Sequence, residues 1–271
     1  MKDIYIRSLT GIVFLAVVIG SILLNPLAFL LVFSVFNFIG LKEFARLANR
    51  SNKTSATATP EYYIFGMLIY FIIGLAGLGY LDVRFSAVIF VILFVQIAIE
   101  LYRKDPQWKN ITTLITGYIY IAVPFGLMNS LFYTGAIDQS QSGILIGMFV
   151  IVWTSDVFAY LTGSMIGKHK LMERISPKKT WEGSIGGLFF ALISAYILSI
   201  FVPQLSIVEW LILSVVIVIS GTLGDLVESL LKRNAGVKDS GTIFPGHGGV
   251  LDRFDAVIFA TPMVFVFINL F

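Results

Sequence analysis

The sequence predicts an all-α polytopic membrane protein, on three observations. Of its 271 residues, 57% are hydrophobic and 13% are charged, and the mean hydropathy is +0.89. Soluble domains carry about a quarter charged residues. Apolar runs long enough to cross a bilayer follow one another along the chain. The chain contains no cysteine, which excludes disulfides, thiolate metal sites and cysteine nucleophiles.

Nine of these runs are predicted to be transmembrane helices. They cover residues 9–24, 27–41, 62–80, 85–101, 111–133, 143–166, 183–202, 207–231 and 254–271. With this count, every one of the 19 lysines and arginines except Arg84 lies on one side of the membrane. By the positive-inside rule, the N-terminus is therefore predicted to be cytoplasmic and the C-terminus to lie on the opposite side.

The chain is predicted to form a single membrane domain, residues 1–271, whose two halves differ. Residues 1–133 supply five spans with short loops and form a scaffold half. Residues 134–271 supply four spans, carry acids within them, and contain two long cytoplasmic loops, 167–182 and 232–253. We therefore expect the chemistry in the second half. The net charge of +3 belongs to the cytoplasmic loops and predicts no nucleic-acid partner.

Four acids are expected to meet near the cytoplasmic face. A helix rises about 1.5 Å per residue, which places Asp225 about 9 Å inside its span and Glu228 one turn nearer the cytoplasm. Asp252 and Asp255 stand three residues apart at the start of the last span. Carboxylates at one depth repel each other unless a cation lies between them, and such hard ligands suit Mg²⁺ or Mn²⁺. Two simpler explanations stay open, namely helix N-terminal charge for the second pair and pairing with Lys232 for the first.

A fifth acid, Asp156, is predicted about 15 Å inside its span. Its neighbours Thr154, Ser155 and Tyr160 are polar, which predicts a wet pocket rather than a lipid-facing surface. An acid inside a bilayer costs about 2.5–3.5 kcal/mol on insertion scales, so it needs a partner, a cavity or an ion. Asp156 is therefore a further candidate metal ligand.

Residues 229–255, SLLKRNAGVKDSGTIFPGHGGVLDRFD, combine a glycine-rich turn with a set of cations. The glycines allow backbone amides to turn toward an anion, and the cations can bind phosphate. The glycines are Gly246, Gly248 and Gly249, and the cations are Lys232, Arg233, Lys238 and Arg253. His247 could be a metal ligand, a phosphate donor or a structural hydrogen bonder.

The other cytoplasmic loop contains SPKKTWEG at residues 176–183. Lys178 and Lys179 stand there beside Thr180 and Glu182, a composition that suits phosphate binding, whereas the positive-inside rule alone explains the loop's earlier cations. A cytoplasmic site for divalent metal and phosphate, just inside the lipid boundary, can join a nucleotide from water to a lipid. The predicted chemistry is phosphoryl transfer.

Residues 229–255 resemble, over their whole length, the signature of the phosphatidate cytidylyltransferases, also called CDP-diacylglycerol synthases. The matching positions are Ser229, Lys232, Arg233, Lys238, Asp239, Gly241, Pro245, His247, Gly248, Gly249, Asp252, Arg253 and Asp255. Residues 224–229 and 176–183 also resemble segments of that family, whereas the first five spans match only as hydrophobic scaffold. Ala256 departs from the many members that carry serine there, which removes a helper hydroxyl.

The resemblance implies that CTP and phosphatidate react to CDP-diacylglycerol and pyrophosphate at the cytoplasmic face of a bacterial inner membrane, with Mg²⁺ or Mn²⁺ and more than one divalent or mixed cation. The implied catalytic residues are Asp225, Lys232, Arg233, Lys238, Asp239, His247, Asp252, Arg253 and Asp255. The implied nucleotide-binding residues are Ser176, Lys178, Lys179, Thr180, Glu182, Gly246, Gly248 and Gly249. The implied metal ligands are Asp225, Asp252, Asp255, Glu228 and Asp156.

Two other functions were weighed. An ion- or proton-coupled transporter would explain acids deep in spans, but no internal repeat is found and the charges crowd at one face. A CDP-alcohol phosphotransferase would use CDP-lipids, but that family's spaced acidic motif is absent. Glycine pairs at 163 and 167 and at 183 and 187 have the spacing of close helix contacts, which is compatible with a homodimer.

Overall fold

The computed structural model describes residues 2–52, 59–132 and 142–270, and helices dominate it. The ten α-helices are α1 Lys2–Leu24, α2 Pro26–Asn52, α3 Pro60–Gly77, α4 Val88–Leu101, α5 Trp108–Gly117, α6 Val123–Ser130, α7 Ser142–Ile166, α8 Trp181–Phe201, α9 Ile207–Asn234 and α10 Leu251–Leu270. A 3₁₀ turn, Val83–Ala87, precedes α4, and a π-helical turn, Tyr118–Ala122, joins α5 to α6. Each of the nine predicted spans corresponds to helical structure, so the all-α prediction is confirmed.

Seven helical stretches among the described residues are long and apolar enough to cross a membrane. They are α2, α3, α4 with its preceding turn, α5 joined to α6, α7, α8 and α9. The chain is thus an integral membrane protein. The described part of α1, Ser8–Leu24, is apolar but shorter, and α10 is not one of the seven. Nine crossings and their orientation stay predictions, and the predicted span ends at residues 133 and 271 lie outside the described residues.

Several helices extend beyond the predicted spans, and three of these extensions lie in the signature segment or at residues that contact it. α2 continues eleven residues past residue 41 to Asn52, α9 continues to Asn234, and α10 begins at Leu251 rather than at residue 254. Lys232 and Asp252, which lie at the two ends of the predicted loop 232–253, are therefore helical, and the position of that loop outside the membrane stays a prediction. Hydropathy reports where the apolar environment stops, whereas a helix continues as long as its backbone hydrogen bonds do.

The end of α9 has a local cause. Gly236 adopts a φ of +66°, a left-handed conformation that glycine accepts without a steric penalty. The N–H of Val237 donates to the Lys232 carbonyl over 3.0 Å, and the N–H of Gly236 donates to the Arg233 carbonyl over 3.0 Å. This pair of bonds is a Schellman motif, which satisfies the last carbonyls of the helix. It fixes the point at which the chain leaves α9.

The loop predicted at residues 167–182 contains a short antiparallel hairpin, which the sequence analysis missed. Strand β1 is Lys170–Met172 and strand β2 is Ser176–Thr180, with Lys170 opposite Thr180. The strands are too short to leave a clear alternation of apolar and polar residues, so their pairing could not be predicted from the sequence.

The chain divides into two compact units, residues 1–135 with 231–254, and residues 136–230 with 255–271. The first unit has an aromatic core in which the Phe33 and Phe254 ring centroids lie 5.6 Å apart and those of Phe29 and Phe33 lie 3.8 Å apart. The predicted boundary between residues 133 and 134 lies outside the described residues. The assignment of scaffold and catalytic roles to the two halves stays a prediction.

In the second unit, α7 packs closely on α8 through glycines. A Cβ at Gly187 would lie 2.7 Å from the Ser155 carbonyl oxygen, and one at Gly183 would lie 2.7 Å from the Ala159 carbonyl oxygen. The rings of Phe158 and Phe190 stack with centroids 3.6 Å apart. The small residues therefore serve a contact within one chain, and their spacing does not argue for the predicted homodimer.

Candidate active site

Asp252, in the first turn of α10, lies within hydrogen-bond distance of four donor groups. Its Oδ1 accepts from the Lys232 ammonium over 2.7 Å. Its Oδ2 accepts from the Ser240 backbone N–H over 2.8 Å and from the Gly249 N–H over 2.7 Å, and the Ser240 hydroxyl lies 2.8 Å from the same oxygen. The Lys232 and Asp252 side chains are only 12% and 7% exposed. This pair joins the end of α9 to the start of α10 across the intervening loop.

The environment of Asp252 keeps it ionised. Burial by itself raises the pKa of this carboxyl, but the hydrogen bond from Gly249 and the bond and charge of Lys232 outweigh burial, so the pKa lies below its ordinary value. The site therefore keeps a negative charge at neutral pH, compensated by one ammonium group. Removing one partner of such a buried ion pair strongly lowers the free energy of unfolding, because the other charge stays buried without compensation.

The glycine-rich turn binds the protein's own carboxylates. Gly248 has a φ of +82°, and a Cβ there would collide with the Asp252 carboxylate. The Gly249 amide is directed at the same carboxylate. The prediction that these amides turn toward an anion is thus met by Asp252, and their role toward a nucleotide stays a prediction. Gly246, with a φ of +77°, is exposed.

Four other charged residues of the signature face solvent. Arg233, Lys238, Asp239 and Arg253 are all exposed. The Arg233 guanidinium lies 3.5 Å from the Val237 carbonyl oxygen, at the limit of a hydrogen bond. These side chains are accessible to an anionic ligand such as a polyphosphate.

His247 lies partly buried against the first helix. A Cβ at Gly11 of α1 would lie 3.9 Å from Cε1 and Nε2 of the imidazole. The backbone N–H of His247 donates to the Phe244 carbonyl over 2.8 Å. The structure does not distinguish the three roles considered for this side chain.

In the second unit, Asp225 on α9 pairs with Lys179 on β2. The Lys179 ammonium lies 2.7 Å from Oδ2, and the Ser229 hydroxyl lies 3.3 Å from Oδ1. The Lys179 and Asp225 side chains are 26% and 34% exposed, so this pair is far more accessible than the Lys232–Asp252 pair. The structure thus brings together residues from two segments that the sequence could only place at one depth.

The helices α9 and α10 also approach closely beside Asp225. A Cβ at Gly224 would collide with the Asp255 carbonyl oxygen, so glycine allows this contact. Asp255 accepts from the Ala256 N–H over 2.8 Å. Ala256 is 5% exposed and faces Gly221, where an added Cβ would lie 3.3 Å from its own Cβ. The departure from serine therefore falls at a tight helix contact.

Two other predicted ligands lie in contrasting environments. Glu228, one turn after Asp225 on α9, is fully buried. Asp156 on α7 is exposed, as is Tyr160, whereas Ser155 is buried and donates to the Val152 carbonyl over 2.8 Å. The side chains expected to line one wet pocket around Asp156 therefore do not share one face of the helix.

The hairpin segment places its predicted nucleotide-binding residues unequally. Ser176 is partly buried and Lys178 is exposed. Thr180 is buried, and its hydroxyl accepts from the Gly183 N–H over 3.1 Å as the N-cap of α8. Glu182 accepts from His169 Nδ1 over 2.6 Å and from the Lys168 N–H over 3.1 Å.

An open cavity of about 810 Å³ lies beside this hairpin. Three basic side chains and a tryptophan line it together with two acids and an isoleucine, namely Lys168, His169, Lys170, Glu173, Trp181, Glu182 and Ile185. The sequence analysis attributed the first of these cations to membrane orientation alone. Their position around one cavity also suits an anionic ligand, and His169 is a residue that the sequence analysis missed.

The described acids do not form a cluster that fits a divalent metal ion. Among the side chains that the structure describes, no group of three or more histidines, aspartates or glutamates is arranged to hold a metal ion. Asp225 and Asp252 instead each hold a lysine ammonium at 2.7 Å. Within the described residues these two carboxylates are therefore engaged in ion pairs with lysine rather than grouped as metal ligands.

Sequence analysis also missed Glu43 and Arg46 on α2. Both lie in the helical extension beyond residue 41 that was interpreted as loop. Glu43 is buried and accepts from the N–H groups of Val250 and Leu251, and the Arg46 guanidinium donates to the Ser240 carbonyl. The one signal that could have found them is a helical continuation of the second apolar run.

Comparison with known proteins identifies the family of the chain. The model of the cytidylyltransferase family matches residues 5–271. A phosphatidate cytidylyltransferase of Staphylococcus saprophyticus is 34% identical over 263 residues, 96% of each chain. That of Staphylococcus haemolyticus is 34% identical over 265 residues, again 96% of each chain. That of Staphylococcus epidermidis is 52% identical over 118 residues, 43% of this chain and 45% of its own.

Proposed function

Because this chain belongs to the cytidylyltransferase family, we propose that it is a phosphatidate cytidylyltransferase, which converts CTP and phosphatidate to CDP-diacylglycerol and pyrophosphate. The observation that carries the proposal is the 34% identity to enzymes of this name over 96% of both chains. The similarity includes the first five spans, which the signature comparison had matched only as scaffold.

The reaction forms one bond and breaks one bond. A phosphate oxygen of phosphatidate attacks the α-phosphorus of CTP, and the bond from that phosphorus to the bridging oxygen of the β-phosphate breaks, which releases pyrophosphate. The second pKa of a phosphate monoester is about 6, so the lipid phosphate is already anionic at neutral pH and needs no general base. The main barrier is the approach of two polyanions, which positive charge and alignment reduce.

The cations of the chain are proposed to perform that task. The ammonium groups of Lys179 and Lys232 each lie 2.7 Å from a carboxylate oxygen. A phosphate oxygen is an acceptor of the same kind, so either lysine can exchange its carboxylate for a phosphate group of CTP. Arg233, Lys238 and Arg253 are exposed and can receive the leaving pyrophosphate. Lys178 and the cations of the open cavity are further contacts for the nucleotide or the lipid phosphate.

The carboxylates of Asp225, Asp252 and Asp255 are proposed to bind Mg²⁺ or Mn²⁺, with Glu228 and Asp156 as further candidates. A bound divalent ion would neutralise charge on the phosphates and fix their geometry. The support for this proposal is the oxygen chemistry of the carboxylates, and a metal ion would have to displace the ammonium groups that Asp225 and Asp252 now bind. We further propose that the site faces the cytoplasm of a bacterial cell membrane, where CTP in water and a lipid in the bilayer can meet.

The experiment that tests the function uses the purified full-length protein in detergent with CTP, phosphatidate and Mg²⁺. We expect stoichiometric CDP-diacylglycerol and pyrophosphate, and neither product when phosphatidate is omitted. The Asp225→Asn variant serves as the matched control, since it keeps the size of the side chain and removes its charge. A folded wild-type protein that releases no pyrophosphate would contradict the proposal.

A further inference from the structure

The second helix binds the signature loop through one buried acid. Glu43 lies two residues past the predicted end of the second span, and it is 7% exposed. Its Oε1 accepts from the Val250 N–H over 3.0 Å. Its Oε2 accepts from the Leu251 N–H and from the Ser240 hydroxyl over 2.9 Å each. One carboxylate thus binds three donors that are about two hundred residues away in the sequence.

Two of those donors are at the start of α10. The first N–H groups of a helix lack partners within the helix, and the N-terminus carries positive partial charge. Glu43 satisfies the amides of Val250 and Leu251 and brings a negative charge to that end. It therefore fixes the first turn of α10, the turn that carries Asp252.

The third donor links Glu43 to Asp252 directly. The Ser240 hydroxyl lies 2.9 Å from Glu43 Oε2 and 2.8 Å from Asp252 Oδ2, and its single hydrogen is shared between these two acceptors. The Ser240 N–H donates to the same oxygen of Asp252, and its carbonyl accepts from Arg46, one turn after Glu43 on α2. Ser240 therefore contacts α2 through its hydroxyl and its carbonyl, and it donates its backbone N–H to Asp252.

The glycines of the loop are explained by the same carboxylate. A Cβ added at Gly241 or at Gly249 would collide with Glu43 Oε1. The backbone at these two positions approaches so closely that a side chain cannot be accommodated unless Glu43 moves. The glycine pattern that resembles a nucleotide loop is thus, in part, the complement of an acid on α2.

We infer that Glu43 is a positioning residue for the signature loop, acting through Ser240 and the start of α10 on Asp252. The inference rests on the proposed cytidylyltransferase function, and it assigns the second span a role beyond hydrophobic scaffold. Loss of the Glu43 carboxylate leaves every proposed site residue in place in the sequence but removes the contacts that fix the position of Asp252. Partners of this kind typically alter activity by about 10- to 100-fold when they are replaced.

The test compares Glu43→Gln and Glu43→Ala with Glu100→Gln. Glutamine at position 43 keeps one acceptor oxygen, but its NH2 group replaces the other oxygen and opposes at least one of the three donors. Alanine removes all three hydrogen bonds. Glu100 is a matched control, because it is fully buried in the same unit and pairs with Arg103 at 3.1 Å and Asn110 at 2.6 Å. It makes no hydrogen bond to the signature loop in these contacts.

Two readouts separate positioning from simple stability. Per folded molecule, kcat should fall about tenfold in Glu43→Gln and further in Glu43→Ala, while KM for CTP changes less and Glu100→Gln keeps wild-type values. Amide hydrogen exchange without substrates should accelerate at Val250 and Leu251, and also at Ser240 and Gly249, whose amides bind Asp252 rather than Glu43. Glu100→Gln should leave all four amides protected.

The possible results are distinguishable. Inactive wild type with normal protection would contradict the proposed function, whereas active wild type with unchanged kcat and exchange in Glu43→Gln would overturn the inference. Faster exchange at Val250 and Leu251 alone, with normal kcat, would reduce Glu43 to a helix cap and also overturn it. If neither Glu43 variant is recovered folded, Ser240→Ala decides, because it removes the hydroxyl link, and wild-type kcat and Gly249 protection in that variant would refute the inference.

Discussion

Replacing Asp252 or Asp225 by asparagine should abolish most turnover in both variants, but only Asp252→Asn should also cost stability. Both carboxylates bind a lysine ammonium at 2.7 Å, so the two variants remove the same kind of ion pair. The surroundings differ. Asp252 accepts three further hydrogen bonds and is 7% exposed, whereas Asp225 is 34% exposed and lies 3.3 Å from one hydroxyl.

The expected magnitude follows from that difference. An asparagine at 252 that keeps its oxygen toward Ser240 and Gly249 directs its amide group at Lys232, which loses a charge-assisted bond and leaves a buried ammonium without its acid. Losses of about 1.5–3 kcal/mol for the bond and about 3–5 kcal/mol for a broken buried pair overlap near 3 kcal/mol. The accessible Lys179–Asp225 pair is worth at most about 1 kcal/mol.

The assay is thermal unfolding of the purified proteins in one detergent, followed by the pyrophosphate-release rate of the folded fraction. At about 2–4 °C per kcal/mol, Asp252→Asn should melt about 6–12 °C below wild type and Asp225→Asn less than about 4 °C below it. Equal melting temperatures for the two variants would refute the argument from burial. Near-normal turnover of either folded variant at saturating Mg²⁺ would remove that acid from the proposed metal site.

Three further predictions concern the other segments. Lys179→Gln should lower kcat because it removes the ion pair with Asp225, whereas Lys178→Gln should mainly raise KM for CTP. Steady-state kinetics measure both constants, and if neither constant changes in either variant, strand β2 does not belong to the site. Thr180→Ala should lower the free energy of unfolding by about 1 kcal/mol, because it removes the N-cap of α8. Thermal unfolding measures this loss against Thr112→Ala, which replaces an exposed helical threonine, and equal effects of the two substitutions would refute the capping role. In a chain without cysteine, Lys170→Cys should be labelled only from the cytoplasm and Gln204→Cys only from outside, and the reverse pattern would overturn the predicted orientation.

The sequence by itself determined the fold class and the family of the protein, whereas the composition of its site stays a prediction. A lipid environment offers no hydrogen-bond partner for backbone N–H and C=O groups. A continuous apolar run of about 20 residues satisfies these groups by forming a helix, so the all-α membrane architecture follows from hydropathy. The signature at residues 229–255 supplied the family because its charges, glycines and acids form a long mixed pattern. Asp225, Asp252 and the lysines were identified from residue type and depth alone.

Only the tertiary structure decided which charges meet. The sequence placed Lys232 one turn from Glu228 on the same helix, but the Schellman turn at Gly236 reverses the chain, and the ammonium reaches Asp252 instead. Lys179 reaches Asp225 through a hairpin whose short strands carry no readable periodicity. Glu43 could not be assigned, since a lone acid after an apolar run predicts no partner. Its contacts lie about two hundred residues away and depend on how α2 packs, which local sequence patterns do not encode.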